Sequence, residues 1–333
     1  MRPIIFSIII PVYNRPEELR ELFQTLTLQT FKSFEVIIVE DGSQISSENI
    51  VNEYISQLNI KYYSKKNEGP GLTRNYGADR ATGNYLIFFD SDCLIPHTYM
   101  ANVSHYLNSN WLDAYGGPDA AHISFTPIQK AISYSMTSIL TTGGIRGGMI
   151  DPEKFHPRSF NMGFSSEVFD KTRGFSAMRF GEDLDMSMRI KKFGFRAGLI
   201  KDAFVYHKRR TDFRKFYKQV YNSGIARINL FKRHPGTLKL VHFAPAGFVI
   251  FLLLSIVALF FNAWQPMAVL GIYFAAIFID SFKQYKSLDV AILSVISTFV
   301  QHMAYGTGFI KSIWKRIILR QPEFNAYKDN FYK

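Results

Sequence analysis

Short apolar runs alternate with helix-like segments over the first 90 residues of the chain. The runs read IIFSIII, VIIV, IKYY and YLIFF, and the segments between them have apolar residues spaced as on one helix face, near 16–29, 46–57 and 71–81. Strands that are apolar along most of their length and separated by helices are typical of a parallel sheet covered on both sides. The pattern therefore predicts an α/β fold with a Rossmann-like, mostly parallel sheet. IIFSIII is too short for a signal peptide, so we expect a strand there.

A different pattern begins near residue 240. Residues 240–279 contain no Asp, Glu, Lys or Arg, and the sequence NAWQP interrupts this stretch in the middle. Each half approaches the ~20 residues that cross a hydrocarbon core. We therefore expect a helical membrane hairpin over 240–282. A hairpin buried in a soluble core is the alternative, but core helices seldom stay uncharged for so long.

Residues 290–310 form a third uncharged stretch, which Gln301, His302 and two glycines make less apolar. A third full span would place the basic tail, 311–333, on the side of the membrane opposite the basic segment 201–239. That arrangement conflicts with the tendency of basic residues to stay on one side. A re-entrant or interfacial segment would remove the conflict. The pattern leaves both arrangements open.

The formal charge of +12 is concentrated next to the apolar region. Residues 201–239 hold eleven Lys or Arg against two acids, whereas residues 1–200 are nearly neutral. Residues 213–240 interleave basic and aromatic side chains at helical spacing, which is typical of an interfacial amphipathic helix. Nucleic-acid binding is the competing interpretation. The adjoining uncharged residues favour the membrane, so we expect no nucleic-acid partner. The single cysteine, Cys93, excludes an intramolecular disulfide.

Polar residues follow each of the first four predicted strands, in the sequences PVYNR, EDGS, NEGPG and DSDC. Ligands of parallel α/β sheets bind beyond the carboxyl ends of the strands. Turn chemistry explains the glycines and asparagines, but it does not explain why Asp41, Asp90 and Asp92 should gather at one edge. Two carboxylates at i and i+2 can both reach one hard cation, such as Mg²⁺ or Mn²⁺. A pair of solvated loop acids is the alternative.

Four ordered motifs strengthen the metal interpretation: SIIIPVYNR, VIIVEDGS, GPGLTRNYGADRATGNYLIFFDSD and GEDLDMSMRIKKFG. Over residues 4–200 the chain resembles the family 2 glycosyltransferases, which have the A-type nucleotide-sugar fold (GT-A). The resemblance implies that Pro11 and Tyr13 pack near the nucleoside base and that Asp41 contacts the base or ribose. It assigns the cation to Asp90 and Asp92.

The same resemblance assigns the general base of the reaction to the acidic pair in GEDLD. Asp183 is the expected base and Glu182 the alternative, although capping of a helix would explain two acids at this position. Asn161 is expected near the sugar or acceptor. His207 would complete the metal site as in some relatives, since imidazole suits Mn²⁺; a surface or phosphate-contacting histidine is the alternative.

Three arginines are further candidates for binding phosphate. Arg74 can contact the donor diphosphate, or it can form a structural ion pair with Asp79 or Glu68. Arg146 lies in the glycine-rich stretch 143–148, which predicts a mobile loop that could close over the donor. Arg227 is a candidate for holding the phosphate of a lipid acceptor.

Together these patterns predict a catalytic domain over 1–205, a basic amphipathic juxtamembrane segment over 206–239, a membrane region over 240–310 and a basic tail. We expect an inverting enzyme, dependent on Mn²⁺ or Mg²⁺, that adds one sugar from a nucleotide-diphosphate sugar to a lipid-linked saccharide or glycolipid. It would act at the cytosolic face of the cytoplasmic membrane. A sugar nucleotidyltransferase and a catalytically silent membrane scaffold are the alternatives. The sequence does not predict the sugar, the nucleotide or the oligomeric state.

Overall fold

The structure is a computed structural model that describes residues 3–120, 125–143, 156–208 and 210–323. It divides into two compact units. Within the described residues, unit 1 consists of 3–120 and 156–207, and unit 2 consists of 125–143, 208 and 210–323. The predicted domain over 1–205 is therefore interrupted, because residues 125–143 pack with the C-terminal helices of unit 2.

The described elements alternate through unit 1 and become helical in unit 2. The strands are β1 Phe6–Val12, β2 Phe34–Asp41, β3 Ile60–Lys65, β4 Tyr85–Phe89, β5 Cys93–Leu94, β6 Ala114–Gly116, β7 Asp119–Ala120, β8 Asn161–Ser165, β9 Ala197–Leu199 and β10 Val205–His207. The helices are α1 Pro16–Thr27, α2 Glu48–Tyr54, α3 Pro70–Ala78, α4 Tyr99–Ser109, α5 Pro127–Thr137, α6 Ile139–Thr142, α7 Ser166–Thr172, α8 Glu182–Lys192, α9 Phe213–Arg233, α10 Ala244–Leu259, α11 Gln265–Tyr285 and α12 Leu288–Ile313.

The main sheet of unit 1 has the order β3-β2-β1-β4-β8-β6-β9. Strands β1 to β4 are parallel, as the sequence predicts, and β8 is antiparallel to both β4 and β6. Every residue of β2 and β4 is buried, because apolar clusters cover both faces of the sheet. A small second sheet, β5-β10-β7, lies just beyond the end of β4. The prediction of a mostly parallel, GT-A-like α/β sheet followed by C-terminal helices is confirmed.

Unit 2 contains three helical stretches that are long and apolar enough to cross a membrane: Leu240–Leu259, Gln265–Tyr285 and Leu288–Ile318. In an apolar stretch of 18 residues taken from each helix, only 17% of the residues are buried within the chain in the first and second helices, against 39% in the third. The first two therefore expose most of their apolar surface, including Leu253, Leu254 and Ile272. This composition and exposure indicate association with a membrane.

Helix α9 packs closely along the second half of α12. A Cβ atom on Gly308 would lie 2.2 Å from the carbonyl oxygen of Tyr221, and one on Gly224 would lie 2.3 Å from that of Tyr305. The two helices run in the same direction, since Ile225 contacts Ser312 and Asn229 contacts Arg316. The amphipathic helix expected in 213–240 is thus present over Phe213–Arg233, and part of its apolar face is used against α12.

Candidate active site

Strand β4 delivers the two acids of the DSD sequence to the edge of the sheet. Asp90 follows directly after Phe89, and the chain then turns so that Cys93 begins β5. Strand β5 pairs antiparallel with β10, where Cys93 is opposite His207. This pairing brings Nε2 of His207 to 3.2 Å from Oδ1 of Asp92. A histidine distant in sequence therefore lies beside the aspartate, and its role as a metal ligand stays a prediction.

Asp92, Cys93 and His207 form a group whose ligand atoms all lie within 4.8 Å of one another. Cys93 is fully buried, and its Sγ donates to the carbonyl of Phe160 at 3.5 Å. Burial and the nearby charges of Asp92 and Asp90 raise the pKa of its thiol well above the ordinary value. The thiol therefore stays protonated, and a carboxylate and an imidazole remain as donors. Oxygen and nitrogen donors of this kind fit Mn²⁺, and carboxylates fit Mg²⁺.

Arg74 joins the acids of β4 to those of helix α8. Its Nη2 lies 2.5 Å from Oδ1 of Asp90, and its Nη1 lies 3.3 Å from Oε1 of Glu182. The side chain is only 3% exposed and lies over the ring of Phe175 at 5.5 Å. The sequence allowed an ion pair with Asp79 or Glu68; the structure instead pairs Arg74 with the predicted site acids. Arg74 is therefore an internal organiser of the site.

Helix α8 begins with the predicted acidic pair. Asp183 accepts from Nε of Arg158 at 2.7 Å and from the backbone N–H of Leu184 at 2.7 Å. Glu182 is nearly buried, and burial together with the adjacent charge of Asp183 raises its pKa to about 7, against the lowering effect of Arg74. Both acids lie in the first helical turn, where the helix dipole favours negative charge. Neither side chain is more than 13% exposed, so both belong to a partly desolvated site.

Asp41 is almost fully buried at the end of β2 and organises the loop after β3. Its Oδ1 accepts from Lys65 at 3.0 Å and from the N–H of Glu68, and its Oδ2 accepts from Asn67 and from the N–H of Gly69. These four donors occupy the four lone-pair positions of a carboxylate. A nucleotide could contact Asp41 only by displacing one of them, so its contact with a base or ribose stays a prediction.

The remaining predicted residues of unit 1 lie in two different settings. Pro11 and Tyr13 are half-buried at the end of β1, next to the carboxyl edge of β2. Asn161 is fully buried: it accepts from Tyr99 at 2.6 Å and donates to the carbonyl of Ala203 at 2.8 Å. Its amide joins β8 to α4 and to the loop between β9 and β10, so the expected contact with a sugar or acceptor would need a change in these bonds and stays a prediction.

Neither of the other two candidate arginines is a described residue of unit 1. Arg146 lies outside the described residues, as does most of the glycine-rich stretch. Arg227 belongs to unit 2, where it is largely buried on α9 and donates to Oγ1 of Thr237 at 3.0 Å. Its role toward a lipid phosphate stays a prediction.

Two basic residues of the site were missed from the sequence. Nη1 of Arg15 lies 2.5 Å from Oδ2 of Asp92, and Arg158 pairs with Asp183 as described. The sequence contains a weak indication of a role for Arg15 in the site. A basic residue is unfavourable at the start of a helix, so its presence there suggests a role other than helix formation. Arg158 gave none, since it lies in a segment without a regular apolar pattern. With Arg74 and His207, they give each of the four site acids a basic partner.

The family model of glycosyl transferase family 2 matches residues 7–173, half of the chain. The chain belongs to glycosyl transferase family 2. A second model, glycosyl transferase family group 2, matches residues 155–279 and so extends into the apolar region. The prediction that the protein is a family 2 glycosyltransferase with a GT-A fold is confirmed.

Curated relatives are similar over parts of their length. An uncharacterized glycosyltransferase of Rickettsia felis is 42% identical over 88 residues, which is 26% of this chain and 15% of the relative. The minor teichoic acid biosynthesis protein GgaB of Bacillus subtilis is 26% identical over 213 residues, which is 62% of this chain and 23% of GgaB. The chain thus spans less than a quarter of either relative. One of these two relatives, GgaB, is by its name a protein of minor teichoic acid biosynthesis.

Two solved structures share the fold. The mannosyltransferase PcManGT from Pyrobaculum calidifontis, in complex with GDP-Man and Mn²⁺, has a TM-score of 0.61 at 16% identity and covers 95% of this chain and 89% of its own. S. aureus TarS 1–349, in complex with UDP-GlcNAc, has a TM-score of 0.50 at 18% identity. The match covers 95% of this chain and 92% of the TarS chain. At these identities the likeness shows the fold alone.

Proposed function

We propose that the chain is an inverting, metal-dependent glycosyltransferase that moves one sugar from a nucleotide-diphosphate sugar to a lipid-linked saccharide or another glycolipid. One observation carries the proposal: the acids after β4 and those at the start of α8 meet around Arg74, which bonds to both Asp90 and Glu182. Sugar transfer from a diphosphate needs acids of both kinds, one set for a cation and one for a proton.

The first set would hold the donor. Asp90, Asp92 and His207 would bind Mn²⁺ or Mg²⁺, and the bound ion would neutralise charge on the departing diphosphate. Pro11 and Tyr13 would contact the base, beside the loop that Asp41 organises. The complex of PcManGT with GDP-Man and Mn²⁺ and that of TarS with UDP-GlcNAc support this class of donor.

The second set would activate the acceptor. Asp183, or Glu182 as the alternative, would take the proton from the acceptor hydroxyl. The acceptor oxygen would then form its bond to the anomeric carbon while the bond from that carbon to the diphosphate oxygen breaks on the opposite face. The configuration at the anomeric carbon inverts, and a nucleoside diphosphate leaves. Arg158 would orient Asp183 for this step through its 2.7 Å contact.

The acceptor is amphiphilic in this proposal because unit 2 exposes apolar helices suited to a bilayer. GgaB, a protein of minor teichoic acid biosynthesis, supports an acceptor from cell-surface polymer assembly. Arg227 and other basic residues of unit 2 would hold the lipid phosphate. The enzyme would lie at the cytoplasmic membrane with unit 1 in the cytosol, where nucleotide sugars are available.

The test uses the full chain purified in detergent. Release of nucleoside diphosphate would be measured with GDP-mannose and UDP-GlcNAc first, with Mn²⁺ or EDTA, and with a polyprenyl-diphosphate-linked sugar or the free sugar as acceptor. We expect release that requires Mn²⁺ and the lipid-linked acceptor. Asp92→Ala should abolish it and Asp183→Asn should reduce it by about 10²- to 10⁴-fold, whereas the substitution Asp79→Asn, at an exposed acid on unit 1, should leave it unchanged.

Three outcomes would contradict the proposal. Equal activity on the free sugar and on the lipid-linked sugar would contradict the proposal that the acceptor is amphiphilic. Formation of a nucleotide sugar from a sugar phosphate and a nucleoside triphosphate would indicate a nucleotidyltransferase. Retention of biological function in folded Asp92→Ala and Asp183→Asn variants would indicate a catalytically silent scaffold.

A further inference from the structure

Asp92 is held from two sides by basic side chains. Nη1 of Arg15 lies 2.5 Å from Oδ2, and Nε2 of His207 lies 3.2 Å from Oδ1. Arg15 belongs to the loop between β1 and α1, 77 residues before Asp92 in sequence. The charge of Asp90 also acts on its guanidinium. The positive charge of Arg15 therefore lies beside the same carboxylates to which a metal cation would bind.

The side chain of Arg15 contributes little to the start of α1, although its backbone carbonyl accepts from the N–H of Leu19. It precedes α1, whose first turn contains Glu17 and Glu18, and its side chain makes no capping hydrogen bond. A positive charge at a helix N-terminus is unfavourable. Its strong contact with Asp92 therefore points to a role at the site and away from a role in helix formation.

Arg15 also differs from Arg74 in how firmly it is held. The side chain of Arg15 is 35% exposed, whereas that of Arg74 is 3% exposed and packs against Phe175. Arg74 is bonded to two acids from two elements, and the ion pair of Arg15 is with one. Arg15 can therefore leave its carboxylate by rotation of a long, half-open side chain, while Arg74 is part of the interior.

We propose that Arg15 stands in for the divalent cation on Asp92 while the donor is absent, and moves its charge onto the donor diphosphate when cation and nucleotide bind together. This inference rests on the proposed metal-dependent function. A divalent cation on Asp92 would lie beside the guanidinium, and two cations this close repel each other in a partly buried site. The diphosphate supplies enough negative charge for both. The cation and the nucleotide consequently bind as a pair, and each strengthens the binding of the other to the same degree.

The experiment measures the Kd of Mn²⁺ by electron paramagnetic resonance on the full chain, first alone and then with saturating UDP or GDP. The variants are Arg15→Gln, Arg15→Lys, Asp92→Asn and the matched control Arg20→Gln. Arg20 lies on α1 and pairs with Glu17 and Glu53 at the surface. We expect Arg15→Gln to bind Mn²⁺ alone about tenfold more tightly than the wild type, within the range typical of coupled sites.

The same variant should also lose the coupling. The factor by which UDP or GDP tightens Mn²⁺ binding should fall in Arg15→Gln by about the amount that binding of Mn²⁺ alone improves. Arg15→Lys and Arg20→Gln should resemble the wild type, because the charge is kept in the first and lies elsewhere in the second. Asp92→Asn should bind Mn²⁺ weakly in both conditions.

The inference is overturned if folded Arg15→Gln binds Mn²⁺ alone no more tightly than the wild type, or if its coupling to the nucleotide is unchanged. Thermal melting establishes folding, and Arg15→Met, which keeps the aliphatic stem, gives the same comparison if the glutamine variant unfolds. Failure of the proposed metal dependence has a different signature: the wild type and Asp92→Asn would then be indistinguishable in Mn²⁺ binding, with or without nucleotide.

Discussion

Nε of Arg158 lies 2.7 Å from Oδ2 of Asp183. The carboxylate expected to act as the general base is therefore paired with a guanidinium before any acceptor binds. The second carboxylate oxygen accepts from the backbone N–H of Leu184. These two contacts fix the orientation of the carboxylate at the start of α8. An acceptor hydroxyl would meet a preset carboxylate, which reduces the reorganisation that proton transfer requires.

Asp183→Asn should therefore reduce kcat by about 10²- to 10⁴-fold, the usual contribution of a general base. Glu182→Gln should reduce kcat less, because Glu182 is held by Arg74 and serves the site indirectly. The measurement is steady-state release of nucleoside diphosphate with saturating donor and acceptor. If Glu182→Gln were the more damaging substitution, the two acids would exchange roles.

Glu182 also makes a prediction about stability and pH. Its pKa in the folded protein, about 7, is raised above the ordinary 4.5, first by burial and then by Asp183. The folded protein therefore binds more protons than the unfolded chain between these values, and this group's contribution to stability falls as the pH rises from 4.5 to about 7. Glu182→Gln removes the buried charge. Its Tm relative to the wild type should be higher at about pH 8 than at about pH 5, as thermal melting of the detergent-solubilised protein can measure.

A pH-independent difference in Tm between Glu182→Gln and the wild type would contradict this expectation. Glu17→Gln is the matched control, because Glu17 is exposed on α1. It should show little difference from the wild type at either pH.

Glu35 should behave in the opposite way. It is buried at the amino end of β2, away from the site edge, and accepts from Ser7, Thr82 and Lys61. Burial alone would raise its pKa, but these hydrogen bonds outweigh burial and lower the pKa to about 2. The unfolded chain then binds more protons between pH 2 and 4.5, so stability is lost as the pH falls through this range.

Glu35→Gln should consequently lower the Tm most above about pH 5 and progressively less in acid. The wild type should lose more stability than the variant between about pH 5 and 3. Measuring the Tm of both proteins over this pH range would show the difference. Identical pH profiles of Tm for the wild type and Glu35→Gln would contradict the prediction.

The contact between α9 and α12 gives a prediction for unit 2. Gly308→Ala would put a methyl group 2.2 Å from the carbonyl oxygen of Tyr221, which is backbone and cannot turn aside. We expect a destabilisation of roughly 1–3 kcal/mol. Gly271→Ala on α11 is the matched control, since its Cβ meets nothing within 4 Å. It should leave the Tm unchanged or slightly raised. Equal effects of the two substitutions would show that the two helices can separate without cost.

The sequence predicts unit 1 well where strands are long and apolar on both faces. Strands β1, β2 and β4 follow from runs such as VIIV and YLIFF, and the edge position of Asp90 and Asp92 follows from β4. Strands β6 and β9 were missed because three residues, such as Ala114–Gly116, carry no periodic signal. The grouping of 125–143 with unit 2 was also missed, because the local sequence of α5 does not determine which unit the helix packs against.

The acids of the site were predictable, but the ion pairs that they form with basic residues were not. The motifs contain Asp92, Glu182 and Asp183, so a search for carboxylates finds them. Arg15 reaches Asp92 across 77 residues, and Arg74 reaches Glu182 across 108. Such pairs are set by how strands and helices are ordered in space, which spacing along the chain does not encode. His207 came only through the resemblance, because its neighbour β5 is two residues long.

The end of α9 and the end of α12 meet in unit 2. Nζ of Lys232 donates to the carbonyl of Arg316 at 3.1 Å, and Arg233 pairs with Glu323 at 2.9 Å. These contacts close a loop around the whole apolar region, joining the residues before it to the residues after it. Where both contacts lie outside a bilayer, they lie on the same side of it, and the segment between them then crosses an even number of times. A hairpin of α10 and α11 would satisfy this parity, and a complete third crossing by α12 would not.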